Sequence, residues 1–354
     1  MTYAVMGTVR SETLKALVFE IARSLERRGC AAADGDVPDV VLNVVDGARP
    51  RPFRRRSRGT YVVALVEAPV TAEDVLSTTY PMLVRALANI VLCYAPDGSV
   101  WFTTMERGVY SVGGLTVRAV ADGVVDRLMP LAGSRLVIDN EFRADLEPEL
   151  WSGDEQTEQI RTAGRRIGEL DLVPAPFPIE DLLDERDLRH VKRLYGIGGL
   201  SYGNLSARKD ERRFWMSASG VDKMRLETIG RDILLVSDYD EVHGAIVLSV
   251  PPGVEPRRVS VDAIEHWMIY QAHPGVGAIL HVHAWLDGIA ATELNFPCGT
   301  EELARSVSAL IDDEPDPDHA VVGLRNHGIT ATGDSLDEIL ERIGSKVVPQ
   351  VPMS

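Results

Sequence analysis

Cysteine is scarce. Cys30, Cys93 and Cys298 are the only three, an odd number at wide and unpatterned spacing. That spacing argues against a disulfide framework and against a cysteine-built zinc site, and a reducing cytoplasm is the expected location. Long apolar runs are missing too. Stretches such as AIVLSV and MLVRALANIVLCY are short or interrupted, so no membrane span is expected. The opening MTYAVMGTVRSETLK lacks the basic-then-apolar order of a signal peptide. Basic charge is in deficit, with 37 Lys and Arg against 53 Asp and Glu and a net charge of -16. This disfavours nonspecific nucleic-acid binding. The one basic cluster, RPRPFRRRSRG from Arg49 to Gly59, reads as a solvated loop between two strands, with a nucleic-acid contact as the alternative. No glycine-rich phosphate loop or dinucleotide fingerprint opens a βα unit, which argues against a nicotinamide-dependent dehydrogenase.

A chain of 354 residues that is 45% hydrophobic can bury one large core or two ordinary ones. Its first part alternates between two periods. TYAVMGTVR, VPDVVLNVVD and GTYVVALVEA read as strands, and SETLKALVFEIARSLERRG carries apolar residues at helical spacing. PMLVRALANIVLCY reads as a helix feeding a strand, and the PDG turn at 96–98 leads into VWFTTM. We expect an accessory α/β domain over 1–125, without a catalytic constellation, and a helix-leaning connector over 126–175. PAPFP, from Pro174 to Pro178, punctuates the chain, and a second domain is expected over 176–350. In it, a helix from Ile179 leads to a strand, a charged hairpin turn and another strand across GNLSARKDERRFWMSASG. DILLVSD and AIVLSV are further strands, SVDAIEHWMIYQAH is a helix capped by Ser260 or Asp262, and GAILHVHA is a strand. The helix TEELARSVSALI, the strand AVVGL, the turn RNHG and the helix SLDEILERIGSK complete the pattern.

Histidine is sparse, eight in all, yet His281 and His283 sit two apart in an apolar run. On a strand both point to one face while Leu280, Val282 and Ala284 pack the other. Two parallel imidazoles on a rigid strand are a good start for a metal site; as core residues each would need partners for both nitrogens. NHG, at Asn326–Gly328, offers His327 at a tight turn after an apolar strand. Asp262 lies near a helix start upstream of the pair and can serve as a fourth ligand or a general base, or simply as a helix-terminal charge. His266, one turn further on, either orients a ligand or packs. His190, His243, His273 and His319 read as surface or structural.

Six pieces then occur in one order: GNLSAR at 203–208, SASGVDK at 217–223, SVDAIEH at 260–266, YQAHPGVGAILHVH at 270–283, PCGTEELA at 297–304 and NHG at 326–328. Together they resemble the class II aldolase/adducin family, over residues 180–345. The resemblance implies a three-layer α/β domain with a mostly antiparallel central sheet, and a divalent metal, most often Zn2+. It places His281, His283 and His327 on the metal-binding histidines. Asp262 falls where aldolases carry a glutamate that binds metal and moves protons, and where 4-epimerases carry an aspartate. Asn204, Ser219, Gly220 and Ser260 fall on positions that hold the substrate phosphate. Val261 stands where a second serine is usual, which removes a donor and weakens the phosphate expectation. Lys223 and Arg208 are candidates for an anion contact only by nearness in sequence, and read better as exposed turn charges.

The reaction the resemblance implies first is aldol cleavage or epimerisation of a small hydroxyketone or sugar phosphate through an enediolate. A decarboxylase or dehydratase of the same fold is an alternative, and a non-catalytic adducin-like interaction module is another. No tyrosine or histidine follows His327, so the general acid is expected from elsewhere in the protein. The resemblance further implies a homo-oligomer, with a tetramer as one form. Neither a membrane nor a nucleic acid is expected as a partner.

Overall fold

The computed structural model describes residues 1–57, 59–104, 109–170, 182–189, 203–348 and 351–353. Residues 1–133, 182–189 and 353 form one compact unit; residues 134–170, 203–348 and 351–352 form another.

The first unit contains β1 (Thr2–Met6), α1 (Glu12–Arg27), β2 (Ala31–Ala32), β3 (Val40–Val44), β4 (Tyr61–Glu67), α2 (Val75–Ala86), β5 (Ile90–Tyr94), β6 (Val100–Thr104), β7 (Val109–Val112) and α3 (Val117–Gly133). Its sheet runs β2-β1-β3-β4-β5-β6-β7, parallel up to β5 and antiparallel after it. The near-continuous apolar runs VVLNV and YVVALVE suit strands buried on both faces. Val40, Leu42, Val63 and Leu65 join a core with α1 and α3. Val41, Val62, Ala64 and Val66 are buried as well, on the opposite face by alternation, and α2 packs on β4, β5 and β6. The basic cluster lies in the link between β3 and β4, with Arg51, Arg54, Arg55 and Arg56 exposed.

The second unit contains β8 (Asp139–Arg143), α4 (Glu155–Glu169), β9 (Asn204–Arg208), β10 (Phe214–Ser217), β11 (Ile233–Asp240), β12 (Ala245–Ser249), α5 (Ala263–Ala272), β13 (Ala278–Val282), α6 (Glu301–Asp312), β14 (Val321–Leu324), β15 (Gly328–Gly333) and α7 (Leu336–Ile343). Its sheet runs β14-β15-β13-β9-β10-β11-β12-β8. Every neighbouring pair is antiparallel except β12 with β8. Helices α4 and α7 pack against β9 and its neighbours. Helix α5 lies over the sheet face that carries Asn204, Ser206, His281 and Thr330; its N-cap Asp262 bonds Asn204, His266 bonds Ser206 and Glu265 bonds Thr330. This is the expected α/β architecture with a mostly antiparallel central sheet.

The expected connector does not stand apart. Helix α3 runs through residue 125 and ends at Gly133 within the first unit, while β8 and α4 build the second. β8 was illegible because DNEFR is charged and lacks β-branched residues; it is recruited at the sheet edge by parallel pairing with β12. The helix expected from Ile179 falls mostly outside the described residues. Residues 182–189 group with the first unit, where the Asp187 carboxylate accepts from Arg85 Nε at 2.7 Å, so the domain boundary is not a single cut near 176. Among the described residues, no helix is long and apolar enough to cross a membrane.

Two glycines set the site's geometry. Gly203 has φ +91°, and a Cβ there would stand 2.5 Å from the His281 carbonyl oxygen. A Cβ at Gly328 would stand 2.3 Å from the Val282 carbonyl oxygen. Both let neighbouring backbone approach the histidine-bearing end of β13 at distances that no side chain permits.

Candidate metal centre

His281 stands in the middle of a cross-strand row. Its direct partners are Asn204 on β9 and Thr330 on β15, so the three side chains share one face of the sheet. His283 follows one residue after β13 ends. His327 closes the β14–β15 turn, where Asn326 adopts φ +60° and the His327 amide donates to the Leu324 carbonyl at 3.0 Å. Asparagine tolerates that left-handed conformation better than most residues.

The three imidazoles converge. Each offers one nitrogen, and these nitrogens lie within 4.8 Å of one another. His283 Nε2 and His327 Nε2 are 3.1 Å apart. Three imidazole nitrogens around one tetrahedral ion stand about 3.3 Å apart, given metal–nitrogen distances of about 2.0–2.1 Å. His281 Nε2 is buried without a hydrogen-bond partner, which a protein rarely tolerates at a polar atom with no further use. Burial, then repulsion from the other histidines, holds the His281 pKa well below its ordinary value. Burial also lowers that of His327, against the pull of Asp262. Neutral imidazole is the form that binds a metal. The donor set fits a divalent ion.

Asp262 is buried and sits at the N-cap position of α5, but its side chain does not cap the helix. Instead Asn204 Nδ2 donates to Asp262 Oδ2 at 2.8 Å. Asp262 Oδ1 has no partner. Burial raises its pKa, opposed by His327, Asn204, Gly299 and Lys223. A buried carboxylate with one unused oxygen beside three imidazoles is equipped to hold or move a proton.

Helix α5 is apolar nearly all round, and its buried polar side chains, Glu265, His266 and Tyr270, find partners on the sheet. His266 Nδ1 pairs with Ser206 Oγ at 2.7 Å, and Ser206 Oγ pairs with Tyr270 Oη at 2.8 Å. This network engages one ring nitrogen of His266, and Nε2 is buried without a hydrogen-bond partner. Glu265, which the sequence reading passed over, is also buried; Thr330 Oγ1 donates to its Oε1 at 2.5 Å. The signal was available: a glutamate three residues after Asp262, in a helix with no polar face.

The substrate-side residues divide. Ala218 bridges Val259, the Ser219 amide donates to the Arg258 carbonyl, and the Ser260 amide donates to the Ser217 carbonyl. This brings the turn with Ser219 and Gly220 alongside Ser260. Ser219 and Gly220 are exposed, Ser260 is buried, and Gly220 takes φ +68°. Asn204 is already engaged with Asp262. The view of Lys223 and Arg208 as exposed turn charges is corrected. Lys223 is 2% exposed, and its Nζ donates to the Ala218 carbonyl at 3.1 Å. Burial pushes its pKa down to about 8, although Asp262 and Asp222 oppose the shift. Arg208 donates to the carbonyls of Val276, Tyr270 and His273, pinning the end of α5 to the sheet. His243, His273 and His319 each lie beside an aspartate away from the centre, and His190 lies outside the described residues.

Residues 189–293 match the family described as Class II Aldolase and Adducin N-terminal domain. A methylthioribulose-1-phosphate dehydratase from Leptospira biflexa serovar Patoc is 30% identical over 162 residues, spanning 42% of this chain and 69% of that protein. A protein of the same name from Citrobacter koseri is 28% identical over 166 residues, spanning 38% of this chain and 75% of the relative. Among solved structures, an L-fuculose 1-phosphate aldolase is similar with a TM-score of 0.38 and 19% identity, over 55% of this chain and 82% of that one. The N-terminal class II aldolase domain of a conserved protein from Thermoplasma acidophilum gives a TM-score of 0.36 at 15% identity, over 55% and 91%.

Proposed function

The chain belongs to the class II aldolase/adducin family, and on that premise we propose that it is a divalent-metal-dependent lyase acting on a small hydroxyketone, with dehydration as its reaction. The observation that carries the reading is the convergence of His281, His283 and His327 beside the buried Asp262 carboxylate. A divalent ion at those histidines, with Zn2+ suited to an all-imidazole set, would polarise a substrate carbonyl. Asp262 would take the proton from the carbon next to that carbonyl and return it to the hydroxyl on the following carbon, which leaves with it as water. Asn204 holds the Asp262 carboxylate through Oδ2, leaving Oδ1 for the proton. Lys223 keeps a positive charge near Asp262. Ser219, Gly220 and Ser260 offer hydroxyl and backbone groups to an anionic end of the substrate, phosphate or carboxylate.

Dehydration stands ahead of aldol cleavage or epimerisation because the similar curated proteins are named dehydratases. The adducin-like reading, a fold kept without its site, is disfavoured by three intact and convergent histidines. A metal-supplemented screen of phosphorylated and unphosphorylated ketoses and small hydroxy acids tests the reaction. Loss of water from a hydroxyketone, abolished in D262N, is the expected result. Retro-aldol products alone would replace dehydration with C–C cleavage, and loss of carbon dioxide alone would replace it with decarboxylation.

A further inference from the structure

We propose that Glu265 is a positioning residue for the metal centre, acting through the Thr330 hydroxyl to hold His281 in the tautomer whose Nε2 is free to ligate. The inference rests on the metal-site reading and deepens it. A threonine hydroxyl has a single proton. With Glu265 ionised, Thr330 gives that proton to its Oε1 at 2.5 Å, because a carboxylate only accepts. Toward His281 Nδ1, at 3.3 Å, Thr330 therefore presents lone pairs, so the imidazole carries its proton on Nδ1. His281 Nε2 itself has no hydrogen-bond partner. Nε2 is left with its lone pair exposed to the other two imidazoles.

The fold is built for this contact. Thr330 is the direct cross-strand partner of His281, and Glu265 follows Asp262 by three residues in the first turn of α5. Asp262 is tied to the row by Asn204 on one side of His281, and Glu265 by Thr330 on the other. Burying a carboxylate is costly, and mere anchoring of a helix could be done by apolar side chains. A negative charge behind a ligating imidazole raises its basicity, which is the usual use of an acid in that place.

The experiment measures Zn2+ affinity by chelator competition at about pH 8.5, with thermal melts of the metal-free proteins alongside. Wild type, E265Q, T330V, T330S and the control H283A are compared. E265Q and T330V are expected to lose about 10- to 100-fold in affinity, and T330S to stay within about twofold of wild type. The Co2+-loaded forms of E265Q and T330V are expected to show altered visible absorption. If T330V fails to fold, the near-isosteric E265Q carries the test. If H283A loses metal while E265Q and T330V bind within twofold of wild type, the positioning role is overturned and the metal site stands. A lowered melting temperature with unchanged affinity would make the contact merely structural, which also overturns it. If H283A binds as wild type does, both the metal-site reading and the inference fall.

Discussion

Asn204 Nδ2 donates to Asp262 Oδ2 at 2.8 Å, and this one contact ties β9 to the entrance of α5. It fixes the carboxylate to the direct cross-strand neighbour of His281 and spends a donor that the family resemblance assigned to substrate. N204A should leave metal content unchanged and lower kcat by about 10- to 100-fold, within the span that a misplaced general base costs. D262N, which keeps shape but cannot accept a proton at neutral pH, should cost more, about 100- to 10,000-fold. Steady-state kinetics with metal analysis checks both. Near wild-type turnover in D262N would reduce Asp262 to a structural carboxylate.

Gly203→Ala should destabilise the second unit by at least about 2 kcal/mol, from a left-handed φ combined with backbone overlap. The new Cβ would fall 2.5 Å from the His281 carbonyl oxygen. Gly253, at φ +80° with nothing near its would-be Cβ, isolates the conformational part, and G253A should cost only about 1–2 kcal/mol. Equal melting temperatures for the two variants would show that the close approach is absent.

Burial, with Asp262 adding to it, pushes the Glu265 carboxyl up to about 8 in the metal-free protein. A group whose folded pKa is raised adds stability below its unfolded pKa and loses it as pH climbs through the folded value. The metal-free wild type should therefore weaken relative to E265Q between pH 4.5 and about 8, by at least about 2 °C in melting temperature. Parallel melting curves across that window would contradict it.

The homo-oligomeric state expected from the family resemblance is carried forward as a proposal. Light scattering should give a mass above 38.8 kDa at micromolar concentrations. A constant monomer mass would remove it.

The site was legible where chemistry is written locally. His281 and His283 declare a shared strand face by alternation, and NHG declares a turn that places a third imidazole. Glu265 and Lys223 were harder, because burial is a property of the tertiary environment: charged residues are assigned to water by default. Thr330 was invisible for another reason. Its meaning comes from the register of β15 against β13, which no window of sequence contains. Strand β8 shows the same limit, since a charged pentapeptide pairs only because an edge is offered to it.

The central claim is that His281, His283 and His327 hold one divalent ion. Elemental analysis of purified wild type and an H281A/H283A variant, after equal metal loading and desalting, tests it most directly. The account predicts about one divalent ion per wild-type chain, and close to none in the variant. Equal metal content in the two proteins would contradict it.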